Sequence, residues 1–180
     1  MSDLPSLAPR AIGPDELLAR ESLRHLVAAY GHAIDRRDWH LLRTLYHDDG
    51  IDDHTPYYFG PVDGFVAWLP SMMANWRATM HTAMSCLFAI DGDKAQGEIV
   101  ARAWHLTLDG TRQFVAWGRY ADHYAQVDGI WRFARRSFIL DFAEDIPVST
   151  GDDFGSDGVG TGSAGADDPV YTRLYLFGRR

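Results

Sequence analysis

The sequence predicts an α+β domain in which a curved antiparallel β-sheet wraps around N-terminal helices, a cone-shaped barrel with an internal pocket. Three observations carry this. Apolar residues between Pro14 and Trp76 recur at helical spacing. From residue 79 the period becomes alternating, in four long runs at about 79–90, 94–108, 113–127 and 130–142. The joins contain Asp91-Gly92, Asp109-Gly110 and Asp128-Gly129, and Asp-Gly between alternating runs is a hairpin signal. Helices followed by an antiparallel meander define the α+β class. Strands this long curve, and helices on the concave face leave room for a pocket.

The elements follow in order. Pro14 suits the first position of a helix, Asp15 and Glu16 suit its first turn, and Leu23, Leu26, Val27, Tyr30 and Ile34 give the period. Asp38 is placed to cap a second helix with Leu41, Leu42 and Leu45 inside. The acidic stretch "DDGIDDHTPYYFGP" reads as a loop or short strand. Asp63 is placed to cap a third helix carrying Phe65, Trp68, Leu69, Met72, Met73 and Trp76, which Pro70 should kink or shorten. Residues 147–168 are rich in Gly, Ser and Asp and form a linker that builds no core. The last segment, 169–180, regains alternation and apolar residues and should dock on its own domain or on a neighbouring subunit. The organisation is therefore an arm over 1–13, a domain over 14–146, the linker and the tail.

Composition narrows the function. A chain of 180 residues, 46% hydrophobic, fits one domain with a full core. A net charge of −8 disfavours nucleic acid and anionic membranes. The N-terminus lacks a basic start followed by an apolar run, so neither a signal peptide nor a membrane span is expected. Cys86 stands alone, which excludes an internal disulfide and suits a reducing cytoplasm.

Several polar residues stand where chemistry is possible. A carboxylate is expensive to bury unpaired, yet Asp35 ends an apolar helical pattern, so it either meets solvent or points inward to a partner. His81 shares a strand face with Ala83, Ser85, Leu87 and Ala89, and small neighbours beside a polar ring leave volume. His105 shares a face with Ile99, Ala101, Ala103 and Thr107. Both histidines can look into the cone. Arg102 and Arg119 are either solvated sheet residues or inward partners for an oxyanion. Trp68 belongs to a helical stripe that is mostly core, although one or two of its members can line an aromatic pocket. No metal-ligand spacing such as His-x-His occurs around His81 or His105, so no metal and no cofactor are expected.

"YGHAIDRRDWHLLRTLYHDD", the Gly-Pro before the third helix, "MHTAMS" and "VDGIWRFARRSFILDF" resemble the SnoaL-like, scytalone dehydratase-like branch of the nuclear transport factor 2-like superfamily. The resemblance spans roughly 14–145. It implies that Asp35 pairs with His81, that Tyr30 joins them, and that His105 corresponds to a second histidine. It also implies an arginine on the last strand, Arg135 or Arg136. Alternation puts Arg135 on the face of Trp131 and Phe133, so only one of the two enters the pocket. His54, Tyr57 and Tyr58 fall where this family borders its pocket mouth. Relatives are commonly trimers or dimers through the outer sheet face, for which Val100, Trp104 and Trp117 are the candidates here.

The expectation is a cofactor-independent lyase. Asp35 would fix the His81 tautomer, and His81 would take a proton next to an activating group. Tyr30 and an arginine would polarise the substrate oxygen, and water or formaldehyde would leave a small apolar, aromatic hydroxylated compound. A polyketide-type cyclase or isomerase would use the same pair without a leaving group. A binding or dimerisation module would have a filled cone and a solvated Asp35.

Overall fold

The computed structural model describes residues 7, 10–149 and 161–177. Most of the N-terminal arm and residues 150–160 of the linker lie outside them. The chain opens with helix α1 (Pro14–Asp35) and the short helix α2 (Trp39–Thr44), capped by Asp38, whose side chain accepts from Leu41 N at 3.0 Å. Strands β1 (Tyr46–His54) and β2 (Tyr58–Pro61) precede helix α3 (Val62–Met73). Pro70 does not break α3, which runs three residues beyond it. Pro61, not Asp63, occupies the N-cap; Asp63 sits in the first turn and bonds Arg43.

Four strands complete the sheet: β3 (Trp76–Asp91), β4 (Lys94–Thr107), β5 (Arg112–Val127) and β6 (Ile130–Pro147). They form the expected meander. Asp128 and Gly129, both at positive φ, make the two-residue turn between β5 and β6. The sheet order is β2-β1-β6-β5-β4-β3, antiparallel except where β1 runs parallel to β6. The acidic stretch read as a loop or short strand is thus the nine-residue strand β1.

Leu23, Leu26, Val27, Tyr30 and Ile34 of α1 are buried with Phe65 and Leu69 of α3 against Ile99, Tyr120, Tyr124 and Phe133 of the sheet. At about 25 cal/mol per Å² of apolar surface removed from water, this core is the main stabilising contribution.

Two bulges redirect side chains. In β3, Ala83 pairs with Ala101 and Ser85 with Val100, leaving Met84 unmatched. Beyond it the faces exchange. Phe88 is buried and Leu87 is exposed, the reverse of simple alternation. In β6, His123 opposes Arg135 and Tyr124 opposes Phe133, leaving Ala134 unmatched. Arg136 consequently follows Trp131 and Phe133 inward, and Arg135 turns out.

The C-terminal segment is not an alternating strand. It is helix α4 (Pro169–Arg173) followed by a 3-10 turn, Tyr175–Phe177. It docks on α1 of its own chain. Asp168 caps α4 and approaches Arg36 at 3.4 Å, and Tyr171 Oη lies 3.1 Å from His32 Nε2.

Candidate active site

Asp35 is the last residue of α1, and the helix end fixes it. Arg37 adopts a left-handed conformation at φ 53°; its N–H donates to Ile34 O, and Asp38 N–H donates to Ala33 O at 2.8 Å. This is a Schellman ending with arginine where glycine is usual. The Arg37 side chain repays the conformation by donating to Ile34 O at 2.8 Å and to the Thr79 hydroxyl at 2.9 Å.

The Asp35 carboxylate faces β3. Oδ1 lies 2.7 Å from His81 Nδ1 and accepts the Thr79 hydroxyl at 2.9 Å, and Oδ2 accepts the His81 backbone N–H at 2.9 Å. The two side chains are only 11% and 13% exposed. Burial pushes the Asp35 carboxyl up, but the bonds from the His81 ring, its backbone and Thr79 prevail and hold it below the ordinary range. As a carboxylate it accepts a hydrogen bond from the His81 Nδ1–H and leaves Nε2 as the acceptor.

His81 packs edge-to-face on His105 at 5.4 Å. His105 stands between Trp76, at 4.9 Å, and Phe114, at 6.0 Å. Burial, reinforced by His81, pulls its pKa down to about 4, so it is neutral at pH 7. Its Nδ1 is buried without a partner among the described residues.

These rings open on a cavity of about 240 Å³ lined by Tyr30, His54, Trp68, Phe114, Tyr120 and Phe138, among others. Its wall is mainly aromatic and aliphatic with a few polar groups, the usual make-up of a small-molecule site. Larger clefts exist: one between Asp15, Ser22 and Trp131 is polar and remote from His81 and His105, and another of about 270 Å³ also touches His81 and Tyr30, between α1 and the sheet, but is more open than the aromatic cavity. Tyr30 lines this cavity, and burial drives its pKa well above the ordinary tyrosine value, so its hydroxyl keeps its proton at neutral pH.

Of the residues singled out from the sequence, Tyr30, His54, Trp68, His81 and His105 line the cavity, with Asp35 directly behind His81. Five others do not line it. Arg136 is 1% exposed beneath the floor, bonded through two nitrogens to Asp122 and within about 4.2 Å of the Tyr30, Tyr120 and Phe133 ring centres. It supports the aromatic floor without reaching the cavity. Arg135 is exposed and bonds Asp53 at 2.7 Å. Arg102 lies over the Trp117 ring, and Arg119 bonds Asp141 and Glu98, both on the opposite sheet face. Tyr58 stacks under Trp68 and donates to Pro61 O at 2.6 Å; its neighbour Tyr57 reaches the cavity instead.

Sequence reasoning missed Asp52, Thr79, Tyr120 and Phe138. Asp52 was recoverable, because residues two apart on a strand share a face, which places it beside His54. Among the described residues no three His, Cys, Asp or Glu side chains converge as metal ligands, and no helix is long and apolar enough to cross a membrane.

A helix-filled, curved sheet with an aromatic cavity and a His–Asp pair defines a nuclear transport factor 2-like domain. The chain belongs to the SnoaL-like family, whose domain profile matches residues 15–137. Solved structures agree on the fold. A candidate scytalone dehydratase from Novosphingobium aromaticivorans superposes with a TM-score of 0.68 at 20% identity, covering 78% of this chain and 95% of that one. A hexachlorocyclohexane dehydrochlorinase from Novosphingobium barchaimii gives 0.65 at 19%, covering 78% and 96%. A protein from Kribbella flavida gives 0.67 at 20%, covering 72% and 95%. No curated protein matches the sequence.

Proposed function

We propose that this protein is a cofactor-independent lyase acting on a small aromatic hydroxylated compound. The observation that carries the reading is the 2.7 Å Asp35–His81 contact opening onto an aromatic cavity. Asp35 holds the proton on Nδ1, and Nε2 removes a proton from the substrate carbon. Tyr30, a buried donor, stabilises the oxygen on which charge develops. His105, held neutral, adds a polar ring that does not compete for the proton. A cavity of about 240 Å³ is below the roughly 300–1,000 Å³ of pockets for drug-sized ligands, which favours one- or two-ring substrates. Dehydration is the default elimination; retro-aldol loss of formaldehyde needs the same parts. The structural relatives named as a dehydratase and a dehydrochlorinase support this class.

The test is a screen of aromatic alcohols, read by product mass. A product lighter than its substrate by one water or by one formaldehyde marks the corresponding elimination. His81→Ala should abolish turnover, and Asp35→Asn should lower it roughly 10²–10⁴-fold by presenting the wrong tautomer. Unchanged turnover in His81→Ala would sink the assignment. An isomer of unchanged mass would move the protein to the cyclase or isomerase class. We also propose a homotrimer packed through the outer sheet face around Val100, Trp104 and Trp117, working in the cytoplasm; a monomer in light scattering would refute the assembly.

A further inference from the structure

The cavity has a second histidine–carboxylate pair. His54 Nδ1 lies 2.5 Å from Asp52 Oδ1, and the other Asp52 oxygen accepts the Tyr46 hydroxyl at 2.7 Å. Asp52 is fully buried. The His54 ring is stacked between Phe65, at 5.3 Å, and Phe138, at 5.6 Å, with planes within 12° of parallel. Its orientation is therefore fixed on both faces. Nδ1 is occupied, and Nε2 is the ring nitrogen left for the cavity that His54 lines.

The two pairs stand at different places in the sheet and in different charge environments. His54 ends β1 and His81 lies on β3, with β6, β5 and β4 between them. Asp35 has a cation within reach, because Arg37 bonds the Thr79 hydroxyl that bonds Asp35. Asp52 bonds only the neutral Tyr46 hydroxyl besides His54, and the buried Arg136 that pairs with it across the β1–β6 ladder gives both its bonding nitrogens to Asp122. A buried carboxylate demands a compensating charge. At Asp35 that charge can come from Arg37, so it need not come from His81. At Asp52, whose ladder neighbour Arg136 is already bonded to Asp122, His54 is the group placed to supply it. Two histidine–carboxylate pairs in unequal surroundings divide acid and base work.

We propose that His54, positioned by Asp52, is the general acid that protonates the leaving oxygen while His81 acts as the base. The inference rests on the lyase reading and assigns its second proton. In the dehydration step His81 Nε2 takes the proton from carbon. The C–H electron pair forms the new C=C bond, and the C–O pair stays with the departing oxygen. The Nε2–H of His54 supplies the proton that makes this oxygen water. His81 ends charged and His54 neutral, and exchange with solvent restores both.

Two bicyclic probes separate the roles. In 1,2-benzisoxazole a base removes the C3 proton, the N–O bond breaks and a phenolate oxygen leaves, giving a cyanophenol. The 5-nitro derivative follows the same course with a much less basic leaving oxygen, which needs little help from an acid. The wild type should open both. His81→Ala should lose both. His54→Gln should slow the unsubstituted compound at least tenfold more than the nitro compound, a ratio that general loss of structure does not change. Asp52→Asn, nearly isosteric and able to keep its contact with Tyr46, should shift the ratio in the same direction and guards against a misfolded His54 variant. Equal slowing of both probes in the His54 and Asp52 variants, or none, with His81→Ala still inactive, would overturn the acid role and leave the base standing. Failure of the wild type to open either probe, or full activity in His81→Ala, would overturn the lyase reading and the acid with it.

Discussion

Gly31 of α1 lies so close beneath β3 that a Cβ on it would sit 2.9 Å from the His81 carbonyl oxygen. Helix and strand touch one turn before Asp35, and that contact sets the reach of the carboxylate. Gly31→Ala should push α1 and β3 apart at an otherwise packed site, at a cost of about 1–3 kcal/mol. Opening of 5-nitrobenzisoxazole should fall at least tenfold, because His81 and Asp35 separate with the elements that carry them. Thermal unfolding and initial rates on the purified variant check both parts.

Arg37 permits a test of charge apart from backbone. Glycine suits the left-handed conformation at φ 53°, so Arg37→Gly should preserve the helix ending and change stability by no more than about 1 kcal/mol. The variant loses the donor to Thr79, and with it the cation behind Asp35. Turnover should drop several-fold while the melting temperature moves little. A crystal structure showing Asp35 still bonded to His81 would place the loss in electrostatics.

Arg136 and Asp122 should behave as a unit. Arg136→Met strands a buried carboxylate and should cost about 3–5 kcal/mol. Adding Asp122→Leu should recover most of that loss, since well-packed apolar residues often replace a buried ion pair without penalty. Denaturant titration of the two singles and the double gives the coupling.

His105 makes stability depend on pH. Its folded pKa of about 4 lies below the unfolded value of 6.5, so between these limits the unfolded chain binds a proton that the folded chain refuses. Stability therefore rises with pH through this window and falls on acidification, by up to about 3 kcal/mol at the lower limit. Asp35, whose carboxyl is lowered, adds a loss of the same sign at still lower pH. In His105→Phe the slope between pH 4 and 6.5 should flatten, which urea titrations at a series of pH values would show.

The helices, the meander and the Asp35–His81 pair were legible because each rests on a local signal: capping residues, alternation, Asp-Gly turns and a family motif. The arginines were not. A bulge adds one residue without changing the composition of a strand, so the extra Ala134 inverts the faces of Arg135 and Arg136 unseen. Met84 does the same to Phe88 and Leu87. Strand β1 was hidden for another reason. Its four aspartates lower strand propensity, and only pairing with β6 and β2 makes the strand and the Asp52–His54 pair with it.

The parallel pairing of β1 with β6 has a kinetic consequence. The meander closes through tight turns between strands adjacent in sequence, whereas Asp53 of β1 meets Ser137 of β6 across 84 residues. Such a long loop closes after the hairpins have formed, because its entropic cost is repaid only by contacts made on arrival. The candidate acid travels with the late strand, and the candidate base sits on the early one. In refolding from urea, far-UV ellipticity should recover before the wild-type discrimination between the two benzisoxazoles returns.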